Sequence, residues 1–223
     1  MAFDHASFLR AAFDGDAAFV SRCIADGADV NRPNAKGMTP LMMAAWQHDR
    51  DQVARILLDH GADLTARQPS SGWSAATFAA VNSGPRCLAL FFERGHRLDP
   101  VADWKALMFA VQYRSRVTAT MLLDSGFPPD PRDEEGRTPL MRACRNADTE
   151  LVRVLLDHGA DPRATDHAGW TALHFAAEKA NPDNARALMA HGAQADAPAH
   201  DGRTPLDLAT EKRRAKLVAV LRG

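Results

Sequence analysis

The side chains with the greatest chemical potential in this sequence are three cysteines and nine histidines. Cys23, Cys87 and Cys144 are too far apart for a Cys-x-x-Cys zinc site and too few for a disulfide framework. Each lies in a helical pattern at a position assigned to packing. We therefore expect buried, reduced thiols, since a reactive cysteine needs an accessible, electropositive setting.

Several histidines recur at equivalent positions in separate parts of the chain, and they do not form a set of metal ligands. His60, His158 and His191 each immediately precede a glycine that ends a helix, where a partial positive charge is favourable. Paired carboxylates such as Glu134 and Glu135 lie in polar segments without the burial that acid–base catalysis requires. No phosphate-binding glycine loop or nucleophile elbow occurs. The sequence therefore predicts no enzyme, no cofactor and no metal.

Composition narrows the class of partner. The chain has 223 residues, of which 46% are hydrophobic, and its 27 Lys and Arg nearly balance 28 Asp and Glu. This charge balance argues against a nucleic-acid partner. No apolar stretch approaches the ~18 residues of a membrane span, and the amino end lacks a basic region followed by an apolar run. We expect a cytoplasmic monomer that does not bind membranes, although secretion without a cleavable signal stays open.

A repeat of 31 to 34 residues sets the positions of these side chains. Gly27-Ala28-Asp29-Val30-Asn31 returns in part at five later positions. The glycines of this phrase are Gly27, Gly61, Gly95, Gly126, Gly159 and Gly192. A second phrase, complete at Gly37-Met38-Thr39-Pro40-Leu41, also recurs.

Each repeat predicts two helices and an extended finger. Thr39 followed by Pro40 is a helix start, because the hydroxyl can accept from a first-turn amide and proline loses no needed donor. Alanine pairs such as Ala44-Ala45 allow neighbouring helices to approach closely. A second helix, with an apolar stripe from Leu151 to Leu156, ends at Gly159 in the left-handed conformation. The remaining polar residues form the finger.

These phrases resemble the ankyrin repeat, whose Thr-Pro-Leu-His motif is nearly matched by Thr171-Ala172-Leu173-His174. The resemblance implies an all-α solenoid of stacked helix-turn-helix units with β-turn fingers, and a structural hydrogen bond at His174. It covers one domain, 1–223, of about seven units. These are a cap at 4–33, repeats at 34–66, 67–99, 100–132, 133–165 and 166–198, and a cap at 199–223.

The third internal repeat departs from the pattern. Asp103-Trp104-Lys105-Ala106-Leu107 replaces Gly-x-Thr-Pro-Leu, and the finger that begins after Gly95 is two residues shorter than the one after Gly126. Sequence drift and a deformation shaped by a partner both explain this. Because repeat arrays are stabilised by a sum of unit and interface terms, we expect residues 100–126 to be a weak link.

The resemblance also implies that partners bind the fingers and first helices on one concave side. Three sequence columns there, the residue before the threonine position and the two after the alanine pair, contain all four tryptophans and the only tyrosine. We predict that the contact residues are Phe13, Met38, Trp46, Trp73, Val81, Trp104, Tyr113, Arg137, Arg145 and Trp170. For Trp73, Trp104 and Trp170, packing along the fingers is an equal alternative. The columns change from apolar to charged along the chain, so the first units should carry most of the contact.

These observations favour a non-enzymatic module that binds another protein. A dedicated inhibitor or neutraliser of one enzyme or toxin could use the same surface. An enzyme with an unrecognised site is a third alternative, although no layer combines a nucleophile, a base and an oxyanion donor.

Overall fold

The computed structural model describes residues 4–47, 50–82 and 84–223, and within these ranges it contains fourteen helices and no strand. The first seven are α1 (His5–Asp14), α2 (Ala17–Ala25), α3 (Pro40–Trp46), α4 (Asp51–Asp59), α5 (Ala75–Val81), α6 (Pro85–Glu93) and α7 (Lys105–Gln112). The others are α8 (Arg116–Asp124), α9 (Pro139–Arg145), α10 (Thr149–Asp157), α11 (Ala172–Lys179), α12 (Pro182–Ala190), α13 (Pro205–Glu211) and α14 (Ala215–Arg222). One isolated antiparallel β-bridge joins Arg67 and Ser74. The all-α prediction is confirmed.

The chain forms two compact units, residues 1–110 and 111–223, and the boundary falls within α7. In the first unit, α1, α3 and α5 pack in series, as do α2, α4 and α6. Each first helix also packs on its own second helix. The alanine pairs make this possible, because Ala44, Ala45, Ala79 and Ala80 are completely buried.

The second unit repeats the arrangement. The first helices α9, α11 and α13 pack in series, and so do the second helices α8, α10, α12 and α14. Leu151, Val152 and Leu155 of α10 are completely buried, which confirms the predicted apolar stripe. All three cysteines are buried, as expected.

The predicted helix starts are present. The Thr39 hydroxyl accepts from the Met42 amide, and Pro40 is the first helical residue. At Thr171 the backbone amide donates to Nδ1 of His174, while Nε2 of this ring donates to the Arg203 carbonyl. The structural role implied for His174 is therefore confirmed.

The turns between first and second helices are tight. Gly15, between α1 and α2, has a φ of 82°. In the second unit four residues with side chains take the same left-handed conformation, at φ of 52° to 57°. They are Arg114, Ala147, Ala180 and Arg213.

A buried carboxylate holds the irregular finger before α7. Asp103 has no exposed surface and accepts from both terminal guanidinium nitrogens of Arg67, at 2.8 and 2.9 Å. It also accepts from the Thr77 hydroxyl and the Asp99 amide. These bonds link two fingers and α5 within the first unit, so the shortened segment is anchored although its Thr-Pro start is missing.

Candidate functional site

Four aromatic side chains form a connected cluster in the first unit, which we call the aromatic platform: Trp46, Trp73, Phe78 and Phe109. The Trp46 ring stacks on Phe78 with 5.4 Å between ring centroids and 19° between planes. Trp73 meets Phe78 and Phe109 edge-on, at 5.1 and 5.8 Å. Trp46 is 44% exposed, whereas Phe78 is buried, so the platform presents one large ring on a packed base.

Local structure sets this arrangement. Trp46 is the last residue of α3, and Phe78 lies in the middle of α5, which packs on α3. Trp73 directly precedes Ser74, whose hydroxyl caps α5 in a reciprocal pair of hydrogen bonds with Thr77. The platform therefore combines a helix end, a helix centre and a finger base.

Sequence reasoning missed Phe78 and Phe109. Phe78 lies immediately before an alanine pair, Phe109 holds the equivalent position before Ala110-Val111, and Phe175 holds it in the second unit. The three columns chosen from the sequence leave this position out. Recurrence of phenylalanine at one position of the repeat was the signal that could have found it.

Two predicted contact residues are wrong. Met38 is 1% exposed and Val81 is 6% exposed, so neither offers a surface to a partner. The Asn34 side chain accepts from the Met38 amide in the finger turn, and the Met38 side chain joins the core. Val81 ends α5, a helix whose seven residues are all buried.

Phe13 and Trp104 are half-buried and each has a cation beside its ring. The Arg10 guanidinium lies 5.8 Å from the Phe13 ring centre, and the Lys105 ammonium lies 5.4 Å from the Trp104 ring centre. Such contacts hold a ring in place but leave part of it accessible. Their role in binding stays a prediction.

In the second unit, the structure brings Arg137, Arg145 and Trp170 together around a groove of about 430 Å³. Trp170 stacks on His174 at 5.6 Å and leans on Phe175 at 5.2 Å. The Arg137 guanidinium lies 6.0 Å from the Phe175 ring centre. Trp170 therefore has a packing role, which is one of the two alternatives for it.

The charges of this groove are mixed. Arg137 lies 3.8 Å from Asp166 and 3.9 Å from Glu135, and Arg203 pairs with Asp201 at 2.7 Å. Glu178 also lines the groove. Three arginines and three carboxylates offset one another, so this groove has no strong preference for one sign of charge. Tyr113 is 60% exposed, lies outside this lining, and stays a predicted contact.

The described residues give little support to catalysis. No three His, Cys, Asp or Glu side chains within them could hold a metal ion together. Burial raises the pKa of the Cys144 thiol far above its usual range, and burial is the main cause that raises the pKa of Cys23. These thiols are packed side chains and not activated nucleophiles.

Comparison with known proteins is consistent with the repeat geometry. Two family descriptions match, "Ankyrin repeats (3 copies)" at residues 77–166 and 160–222 and "Ankyrin repeats (many copies)" at 24–79. The chain belongs to the ankyrin-repeat family. Ankyrin-repeat domains are generally protein-interaction modules, and their fold is typically a non-catalytic scaffold.

Solved ankyrin-repeat domains match almost the whole chain. The ankyrin repeat domain of Bcl-3, a member of the IkappaB protein family, is 28% identical with a TM-score of 0.80, and the match covers 97% of both chains. The human ASB11 ankyrin repeat domain is 24% identical with a TM-score of 0.82 over 96% of each chain, which shows the fold alone.

A curated relative is much longer than this ankyrin-repeat chain. The mitochondrial disaggregase of Bos taurus is 34% identical over 157 residues, which are 66% of this chain but only 22% of the disaggregase.

In the described parts of the chain, no helix has the length and apolar content needed to cross a bilayer. The cytoplasmic location, the monomeric state and the boundaries of the single domain stay predictions.

Proposed function

We propose that this ankyrin-repeat chain binds a protein partner through the fingers and first helices of its first unit, with the aromatic platform as the anchor. The observation that carries the proposal is the exposed Trp46 ring stacked on buried Phe78. Stacking fixes the orientation of the exposed ring before a partner arrives. Little side-chain freedom is then lost on binding, which favours affinity.

The chemistry of the platform fits an interface centre. Large aromatic side chains are enriched among the residues that dominate binding free energy, because a partner removes a wide apolar area from water. Trp73 and Phe109 are half-buried, and they extend the platform from Phe78 along the same unit. The charged groove of the second unit, with Arg137 and Arg145, would then make contacts of smaller energy.

The test begins with Trp46→Ala and a matched control. Val117→Ala removes a side chain that is also exposed but lies on the second helix α8. The wild-type chain and both variants are immobilised, and proteins retained from the native source are compared by mass spectrometry. The partner is then purified and its affinity for each variant is measured by calorimetry.

We expect Trp46→Ala to weaken binding by about 2 kcal/mol, which is roughly thirtyfold, while Val117→Ala binds normally. Thermal melts of each variant separate binding from folding. Equal affinity for Trp46→Ala and the wild type, with both folded, would rule out the platform as the anchor.

A further inference from the structure

A second surface of the first unit lies away from the aromatic platform. It is a groove of about 500 Å³ between the base of the second finger and the turn that follows α6. Its lining includes Arg67, Arg94, His96, Arg97 and Thr65, and no carboxylate. Cations in such a lining attract an anion to the extent that neighbouring carboxylates leave their charge unneutralised.

The groove exists because a side-chain bridge is missing at this layer. One layer earlier, the side chain of Asn31 forms this bridge. Its amide nitrogen donates to the Gly61 carbonyl at 3.0 Å, and its amide oxygen accepts from the backbone N–H of Asp63 at 2.8 Å. The equivalent residue of the next layer is Thr65, whose hydroxyl donates to Asp63 of its own loop at 2.6 Å. The loop at Gly95 is therefore not bridged in this way, and the junction stays open.

The arginines of the groove differ in how far their charges are neutralised. Arg67 is bound by Asp103, and Arg94 donates to Asp59. The Arg97 guanidinium instead donates to the His96 carbonyl at 2.8 Å and lies 6.0 Å from the Phe92 ring centre. Within the described parts of the chain, Arg97 forms no ion pair, so it keeps donors and a positive charge for a ligand.

His96 occupies the position where the preceding layer has Ala62 and is half-buried in the wall of the groove. Its Nε2 atom is buried and makes no hydrogen bond, so the ring must turn before this atom can contact a ligand. Burial lowers the pKa of His96, with a further lowering from Arg67 and Arg97 that Asp103 and Asp63 oppose. The neutral ring can become charged when an anion arrives beside it, because an opposite charge favours the protonated form.

We propose that this groove is an oxyanion site that binds a phosphate group between Arg94, Arg97 and His96. Guanidinium groups suit phosphate, because their planar donors match two oxygens at once and their charge does not depend on pH. Asp59, Asp63 and Asp99 lie nearby and limit the affinity for anions, so we expect a dissociation constant of about 1 mM for inorganic phosphate. The proposal goes beyond partner binding by Trp46 and does not depend on it.

The test is a titration of the full chain with inorganic phosphate at constant ionic strength, with chloride as the exchanged anion. Nuclear magnetic resonance follows the amides of Gly95 and Arg97 and the imidazole of His96. We expect saturable amide shifts and a higher pKa of His96 with phosphate than without it. Arg97→Ala should weaken binding about tenfold, and Arg97→Lys should restore part of it.

A matched control separates the groove from general surface charge. Arg186 is an exposed arginine of α12 that pairs with Asp183, and Arg186→Ala should leave phosphate binding unchanged. Amide spectra confirm that each variant is folded, and Arg94→Ala serves as a second groove variant if Arg97→Ala is not folded.

Parallel titration with a capped phosphoserine tripeptide distinguishes two sources of the phosphate group. Tighter binding of the peptide than of free phosphate assigns the groove to a phosphorylated protein segment, whereas equal or weaker binding assigns it to free or small-molecule phosphate. The proposal is overturned if neither probe saturates by about 20 mM, or if the Arg97→Ala and Arg94→Ala variants bind as well as the wild type.

Discussion

Arg67 and Asp103 are 36 residues apart in the sequence and meet as a two-point ion pair in which the carboxylate is completely buried. Asp103 stands where the other repeats have a glycine, in the unit that lost its Thr-Pro helix start. The pair therefore connects the irregular finger to the finger before it.

Removing the Asp103 charge should be costly. Asp103→Asn leaves Arg67 and Thr77 without their carboxylate, and we expect the free energy of unfolding to fall by about 3 kcal/mol. This is the low end of the range for a broken buried pair, because Arg67 is about one-third exposed. Urea denaturation measures the change. Asp201→Asn, which breaks the exposed pair with Arg203, should cost far less than Asp103→Asn, because solvent screens an exposed pair. Equal effects of the two variants would mean that burial adds nothing at Asp103.

The expected weak link now centres on α8. The Ser115 hydroxyl at its start donates to Thr118 and does not cap a backbone amide, whereas Asp148 caps α10 by accepting from Leu151. We expect the amides of α8 to exchange with solvent faster than those of α10. Ser115→Asp should slow exchange in α8 by supplying a capping carboxylate. Slower exchange in α8 than in α10 of the free wild-type protein would contradict the prediction.

Protonation of His158 should stabilise the second unit. The Asp124 carboxylate accepts from Nε2 at 3.0 Å, and this bond is the main cause that raises the pKa of His158 in the folded state. The extra stability is therefore fully present below the pKa of the unfolded chain and is lost as pH rises through the folded pKa. Asp124→Asn should remove this increment near pH 5.5 and change little near pH 8.

Two other histidines change the stability with pH in the opposite direction. The effect of the His158 bond must therefore be measured as a difference in the free energy of unfolding between variants. Burial is the main cause that lowers the pKa of both His96 and His174, so their contribution to stability is present above the pKa of the unfolded chain and is lost as pH falls from there through the folded pKa. Asp183→Asn, which changes an exposed carboxylate paired with Arg186, is the control for Asp124→Asn. If the free energies of unfolding of Asp124→Asn and the wild type differ by the same amount at every pH, protonation of His158 is not coupled to stability through this bond.

The two rings of the Trp46–Phe78 stack should respond differently to truncation. Phe78→Ala removes a buried ring and should lower the free energy of unfolding by about 3 kcal/mol or more. Trp46→Ala should lower it by about 1 kcal/mol or less, because almost half of the ring is exposed in the free protein. Thermal and urea denaturation compare them, and a larger loss for Trp46→Ala would identify it as a core residue.

The repeat in the sequence predicted the fold because its signals are local. Thr39 and Pro40 start a helix, and Gly159 ends one, through bonds to their own near neighbours. The same reasoning failed for Met38, since the residue before the threonine lies where the finger joins the helix. A side chain there can turn inward, as Met38 does, or stay half-exposed, as Arg137 does.

The candidate site was harder to predict because its contacts cross between layers. The sequence identified Trp46 and Trp73 but not Phe78, on which both rest. In the sequence, Asp103 is noticeable only because it replaces the glycine of the Gly-x-Thr-Pro-Leu phrase. The compensating partner Arg67 lies in another repeat, and no local pattern reveals that such a pair forms.

The left-handed turns of the second unit have a consequence for protein engineering. Each of Arg114, Ala147, Ala180 and Arg213 holds a conformation that costs a residue with a side chain about 1 kcal/mol or more, and Gly15 shows that this chain already uses glycine in such a turn. Glycine would remove that strain, at the expense of roughly 0.5 kcal/mol or more of unfolded-chain entropy. A modest net gain would accumulate at Ala147 and Ala180, whereas glycine at Arg114 would also remove the bond that its side chain donates to the Asn146 carbonyl. Substitutions confined to the connections between helices can therefore raise the melting temperature of the protein and leave its binding surfaces unaltered.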